Sequence, residues 1–314
     1  MRILTKSAEN PNQCIKPLCF TKTARNAFQI ILTEIDFSEG KKLLLPAYIG
    51  ITDREGSGVF DPVLNTKTPH EFYALDLRLS AKKTDLHEKI ASGDFAAVLI
   101  IHYFGFCQND MEEITRLCRE NNVLIIEDCA HSLLSENELG GLGSIGDFGF
   151  YSLHKILAVK DGGMLRVNNP RYKRLIESNP ARLPSTQTLE DVSRADHEAI
   201  KKKRRENYTR LATLMQSGFG YEVMYPKLPP GIVPHNFPVL IAEGKREKVY
   251  FELIAKNVPA VALYYRMIAP IVSGKYEDSI AVSGSILNLP VHQDITLNDI
   301  DDVASVFLAV MNSI

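Results

Sequence analysis

Between residues 41 and 167, short apolar runs alternate with longer stretches whose apolar positions recur every three or four residues. That alternation is the pattern of an α/β fold, a mostly parallel sheet covered by helices. The runs at 43–45, 97–101, 123–126 and 163–167 are predicted strands, rich in Val, Ile and Leu as strands covered on both faces are. Between the second and third, Asp110 and Glu113 have capping-box spacing. Met111, Ile114, Leu117 and Cys118 then follow at helical intervals up to Asn121 and Asn122. A strand, a helix and a strand within about 30 residues make a right-handed crossover unit.

The pattern changes after residue 179. Pro180, Pro184, Ser185, Thr186 and Thr188 carry little apolar periodicity, which predicts an irregular connection over 179–195. Residues 197–216 read as a long helix with Ile200, Tyr208, Leu211 and Leu214 on one side, and its basic run 201–205 reads as a solvated face. Short strands at 221–225 and 236–242 and a helix at 245–255 follow. A closing helix spans 298–311, capped by Asn298, with Asp299, Asp301 and Asp302 in its first turn. The expected organisation is a large α/β domain, 1–195, with an arm at 1–16, and a smaller α+β C-terminal domain, 196–314.

Composition narrows the class. In 314 residues, 45% hydrophobic and 24% charged content with a net charge of -2 describes a globular chain and predicts neither nucleic-acid nor membrane binding. The five cysteines are odd in number and contain no CxxC pair, against a disulfide framework or zinc ribbon, so no metal is expected and a reducing compartment fits. Residues 1–17 lack the apolar core of a signal peptide, and no run reaches the roughly 18–20 apolar residues of a membrane helix. The expectation is a soluble cytoplasmic protein.

Functional residue types concentrate between 125 and 163. The strand ending at Ile126 runs into Glu127, Asp128, Cys129, Ala130 and His131, which puts a carboxylate at the carboxyl edge of the sheet, where open α/β sheets bind ligands. Gly140, Gly141, Gly143, Gly146 and Gly149 follow, then Ser152, His154, Lys155 and the triplet Asp161-Gly162-Gly163. A lysine amine that can condense with an aldehyde, a carboxylate that can face a ring nitrogen and a nearby serine together suit pyridoxal 5'-phosphate. Singly, an Asp after a strand is as readily a helix cap, and a lysine is ordinarily a surface charge.

In order along the chain, Pro46-Ala47-Tyr48, Ile101-His102-Tyr103-Phe104-Gly105, the 126–131 block, Gly146-Asp147, Tyr151-Ser152 through Lys155, and Asp161-Gly162-Gly163 resemble the DegT/DnrJ/StrS family. This is a sugar-specific branch of the fold-type I aminotransferases. Leu289-Pro290-Val291-His292 with Asp294-Ile295-Thr296 is similar to the family's closing motif, so the likeness reaches from about residue 20 to 310. The resemblance implies that Lys155 binds the cofactor covalently and then, with a lowered pKa, shuttles a proton. It implies that Asp128 pairs with the pyridinium nitrogen. His131 matches a His or Gln that contacts the phenolic oxygen, a role favoured over that of a helix-start His satisfied by backbone. Ser152, Thr23 and Ala24 match phosphate-binding positions, the last two before a predicted helix at 25–32, where Thr23 would also serve as an ordinary cap.

The chain departs from the family in several places. Ser152 and Lys155 are closer together than in many relatives, which leaves Tyr151 and His154 as alternatives near the phosphate and Lys160 as a fallback lysine. The position of an aromatic that stacks on the cofactor ring is Gly50, leaving Tyr48, Tyr103 or His102, with Tyr48 taken as cofactor-binding. The Gly-x-Asn-x-Arg segment that serves the partner subunit is missing between Arg174 and Arg204. The implied activity is transfer of an amino group from an amino acid, glutamate above all, to a nucleotide-linked keto sugar for amino-sugar or surface-polysaccharide synthesis, by a homodimer. The alternatives are a sugar dehydratase of the same family, in which the lysine is His, and a non-catalytic regulator or scaffold.

Overall fold

The structure, a computed structural model, describes residues 18–53, 56–177, 183–242 and 244–314. The arm 1–16, Cys14, Asn179 and Pro180 lie outside the described residues. The strands are β1 (Leu18–Thr21), β2 (Lys42–Pro46), β3 (His70–Tyr73), β4 (Phe95–Ile101), β5 (Leu124–Asp128), a small hairpin of β6 (Glu136–Asn137) and β7 (Gly140–Gly141), β8 (Phe148–Ser152), β9 (Gly163–Val167), β10 (Tyr221–Val223), β11 (Phe237–Ile241) and β12 (Ile286–Leu289). The helices are α1 (Ala24–Glu34), α2 (Phe60–Asn65), α3 (Lys83–Ala91), α4 (Met111–Glu120), α5 (Arg174–Glu177), α6 (Thr186–Arg194), α7 (His197–Leu214), α8 (Arg246–Ala255), α9 (Ala269–Val272), α10 (Glu277–Ser285) and α11 (Leu297–Ser313).

Seven strands form one sheet in the order β1-β9-β8-β5-β4-β2-β3. The run from β8 through β5, β4 and β2 to β3 is parallel, and β9 and β1 add antiparallel strands at one edge. The β4 sequence Phe-Ala-Ala-Val-Leu-Ile-Ile is a nearly unbroken apolar run because both of its faces are covered. Strands β10, β11 and β12 make a second, antiparallel sheet. Among the described residues no helix is long and apolar enough to cross a membrane.

Helix α4 forms as predicted: Asp110 accepts from the Glu113 amide at 3.0 Å, and Met111, Ile114 and Cys118 are buried. Strand β8 escapes periodicity altogether, because all five residues of Phe-Gly-Phe-Tyr-Ser are buried. Its Gly149 lies so close to the preceding loop that a Cβ there would come within 2.5 Å of the Gly143 carbonyl oxygen.

Three expectations need correction. Residues 179–195 are not simply irregular: α6 starts at Thr186, capped by the Ser185 hydroxyl and tied to Asp161, which accepts from the Thr188 hydroxyl and the Ser185 amide. The closing helix is capped by Thr296, whose reciprocal hydrogen bonds with Asp299 complete a capping box, and Asn298 lies inside its first turn. The basic run on α7 is not all solvated, for Arg204 is buried. Arg204 sits four residues from both Ile200 and Tyr208, so its helical spacing puts it on the apolar stripe.

Candidate active site

Strand β5 ends in two adjacent carboxylates that point to opposite faces of the sheet. Glu127 has no exposed surface. One of its oxygens accepts from the amides of Ile145 (2.8 Å) and Gly146 (2.7 Å), and the other from the Gly143 amide and the His102 ring, both at 2.9 Å. The glycine-rich segment is therefore a loop wrapped around a buried carboxylate. Burial opposes charge on both Glu127 and His102, yet their partners outweigh it: His102 with the Gly146 and Gly143 amides holds the carboxyl below its ordinary range, and Cys107 with Glu127 holds the imidazole up. His102, Glu127 and Cys129 bring ligand atoms within 4.8 Å of one another, but the Glu127 oxygens are already taken by three amides and an imidazole. His102 thus belongs to this support layer.

Asp128, on the other face, is 5% exposed. Its Oδ1 accepts from the Ala130 amide at 2.9 Å. Burial pushes its carboxyl pKa up, against the opposing pull of the Ala130 amide and of positive charge on Lys155 and His102. A buried carboxylate of this kind is suited to a cationic ring nitrogen, which would relieve the cost of its own burial.

His131 is buried between two rings, with Phe104 at 6.2 Å and 14° on one side and His235 at 4.5 Å and 21° on the other. Burial, followed by the positive charges of Lys155 and His235, holds its pKa well below the usual imidazole value, so the ring is neutral. Its Nδ1 accepts from the Phe104 amide at 3.2 Å, which assigns the single ring proton to Nε2. Lys155 Nζ lies 2.9 Å from that Nε2.

Lys155 sits in the tight turn after β8, where the amides of Ile156 and Leu157 donate to Leu153 O at 3.1 and 2.8 Å. The C-terminal part of the chain closes over this turn. Buried Arg204 donates through Nη1 to the carbonyls of Pro234 and His235, both at 3.1 Å, and through Nε to Gln293 at 2.8 Å. Gln293 Nε2 in turn reaches the Ile156 carbonyl at 3.3 Å, and the His235 ring bonds the Lys155 backbone. Arg204, His235 and Gln293 were missed from sequence. Only Arg204 carried a signal, its place on the apolar stripe. The fallback Lys160 is exposed.

The phosphate candidates also converge. Ser152 pairs with Gly163 across β8 and β9, and Gly163 pairs with Thr21 across β9 and β1. A Cβ on Gly163 would lie 2.3 Å from Thr23 C and 2.4 Å from Ala24 N, so the glycine lets the start of α1 approach the serine's strand. Thr23 caps α1 by accepting from Asn26 N at 3.1 Å. The N-terminus of α1, beginning at Ala24, is a place where helix amides can face an anion. Ser152 Oγ is 3.3 Å from His154 Nδ1. Tyr151 turns away, donating to Leu142 O at 2.7 Å. The Gly163→Ala variant is expected to lose about 1–3 kcal/mol of stability, because the atoms it strikes are backbone. Urea denaturation measures this; an unchanged midpoint would count against the close approach.

Lys155, His131 and Asp128 are thus brought together, with Ser152, Thr23 and Ala24 around Gly163. Tyr48 is not among them. Its ring is buried edge-on against Tyr103 at 5.5 Å and Tyr264 at 5.4 Å, and its hydroxyl finds no hydrogen-bond partner. The residues present fit pyridoxal phosphate: a buried carboxylate, an amine held by a neutral imidazole, and a helix start next to a serine.

The sequence pattern of the DegT/DnrJ/EryC1/StrS aminotransferase family matches residues 78–181. GDP-perosamine synthase of Escherichia coli O157:H7 is 26% identical over 149 residues, 46% of this chain and 38% of that protein. The chain spans less than half the length of the curated relatives it matches first. Among solved structures, Helicobacter pylori PseC, an aminotransferase involved in the biosynthesis of pseudoaminic acid, superposes with a TM-score of 0.80 at 15% identity, covering 96% of this chain and 88% of that one. A Streptococcus pneumoniae chain solved in a PLP form gives 0.78 at 16% identity, covering 94% and 87%. At these identities the likeness is one of fold, that of the fold-type I aminotransferases.

Proposed function

Because the chain belongs to the DegT/DnrJ/EryC1/StrS aminotransferase family, we propose that it uses pyridoxal phosphate to move an amino group from an amino acid, such as glutamate, to a nucleotide-linked keto sugar. The observation that carries this reading is the Lys155 amine 2.9 Å from a neutral His131, beside the buried carboxylate of Asp128. The relatives support it: the E. coli protein is named for perosamine synthesis and the H. pylori one for pseudoaminic acid. A PLP form among the structural neighbours supports the cofactor. We also infer a cytoplasmic homodimer, for which sedimentation as a strict monomer would be the opposing result.

When bound, pyridoxal phosphate supplies an aldehyde for amines and a protonated ring that accepts electrons. Asp128 would hold the ring nitrogen's proton, its burial strengthening that bond. Lys155 Nζ would accept a proton from the substrate carbon and return it on the opposite side of the transfer, as general base and then general acid. His131 steers Nζ through Nε2–H, and because it stays neutral it adds no competing positive charge. Ser152, Thr23 and Ala24 at the start of α1 would take the phosphate.

The test begins with the purified protein and added pyridoxal phosphate. A visible band that borohydride abolishes, leaving a mass increment on the peptide containing Lys155, is the expected result. Glutamate alone should then convert the bound aldehyde to its amine form, and a panel of nucleotide-linked keto sugars should reverse the change with ping-pong kinetics. A protein that stays colourless with excess cofactor would overturn the reading.

A further inference from the structure

The loop after β2 carries Gly50, and the space beside its α-carbon is filled from elsewhere in the chain. An ideal Cβ at position 50 would lie 2.1 Å from Cδ1 and 3.1 Å from Cγ of Tyr264, so the ring occupies the space a side chain at 50 would need.

Tyr264 is held there by backbone pairing. Gly50 bridges Met267 in antiparallel fashion, the Ile51 amide donates to Arg266 O at 3.0 Å, and the Ile268 amide donates to Ile49 O at 3.1 Å. Asp53 and Arg266 add an ion pair at 2.6 Å, and the Tyr264 carbonyl accepts from Ser283 Oγ at 2.8 Å. The residue adopts φ +63°, a left-handed conformation that costs an aromatic residue on the order of 1–2 kcal/mol. The surrounding bonds hold it in place despite that cost. From this position the ring faces inward, 6.1 Å from both His131 and Tyr103 by ring centroids. The Asp128 carboxylate is close enough that its charge, after burial, raises the Tyr264 phenol above its ordinary pKa.

A flat heteroaromatic held between Asp128 and Lys155 needs an aromatic or apolar surface on its faces to be bound tightly. Resting on the cofactor reading above, we propose that Tyr264 provides that surface, standing in for the absent side chain of Gly50 and packing on the face of the cofactor ring. The site is then complete only when the 261–268 segment is docked on the 49–53 loop, so the C-terminal part of the chain takes part in cofactor binding.

The experiment measures the dissociation constant for pyridoxal phosphate from the visible band, with each variant's thermal melt recorded alongside. Tyr264→Ala is expected to weaken binding about tenfold and Tyr264→Phe less than about twofold. Tyr264→Leu, which keeps the volume without the ring, should fall between them and serves if the alanine variant does not fold. Gly50→Phe should weaken binding when Tyr264 is present, since two rings claim one space. It should restore binding in the Tyr264→Ala background. Equal or tighter binding by Tyr264→Ala or Tyr264→Leu would overturn the proposal, because the ring would then be a plug. A wild-type protein that forms no borohydride-reducible adduct would overturn the cofactor reading and this proposal with it. A normal wild-type adduct with indifferent Tyr264 variants would overturn only the latter.

Discussion

Lys155→Ala is expected to lower kcat by at least about 10³–10⁴-fold and to abolish the borohydride-fixed label. The effect is large because one nitrogen has two tasks, covalent attachment and proton transfer, and among the described residues no other amine lies beside His131 and Asp128. The fallback Lys160 is exposed and lies outside the group formed by Lys155, His131 and Asp128. Lys155→Arg should be equally inactive, since guanidinium keeps the charge but neither condenses with an aldehyde nor releases a proton. The fold should survive both changes, because the turn is secured by its backbone and by the Arg204, Gln293 and His235 contacts. Single-turnover kinetics and peptide mass mapping check the outcome; a label that moves intact to another lysine, or a rate within tenfold of wild type, would remove Lys155 from its role.

Asp128→Asn is expected to reduce kcat about 10²–10³-fold, the range for losing one preorganised electrostatic partner. The same substitution should make the cofactor-free protein more stable at neutral pH, a combination that a merely structural aspartate would not produce. Burial raises the folded-state pKa of Asp128 above its ordinary value of 3.8. The carboxyl's favourable contribution to stability is therefore fully present below that value and is lost as pH rises through the folded pKa. At pH 7 the apo wild type carries that penalty and the amide does not. Melting curves of both apo proteins should separate at pH 7 and converge below about pH 4. A wild type more stable than Asp128→Asn at pH 7 would contradict the electrostatic account. This trade of stability for function is common at active sites.

Elements whose residues interact with near neighbours were readable in the chain. Helix α4 announced itself through Asp110 and a short apolar repeat, and β4 and β5 through uninterrupted aliphatic runs. Strand β8 was not readable, because two aromatics, a glycine and a serine acquire strand character only once the loop around Glu127 covers them. Helix α6 was hidden by the prolines that precede it and by its own threonines, and is held by Asp161, more than twenty residues earlier. Among the candidate residues, Asp128, His131 and Lys155 stood out because strand end, spacing and residue type agree. Arg204 was mistaken for a solvated charge although its position on the apolar stripe of α7 indicated otherwise.

The amino-acid order by itself determined the α/β layering, the carboxylate at the end of β5 and the lysine after the glycine-rich loop, since each follows from a local pattern or from residues close in the chain. Only the tertiary structure decided that Glu127 and His102 form the support beneath that loop, that Arg204 and Gln293 close over the lysine turn, and that Tyr264 fills the space at Gly50. Those arrangements depend on which distant surfaces exclude water and each other. Side chains far apart in sequence acquire a common position only when packing and backbone hydrogen bonds bring their segments together.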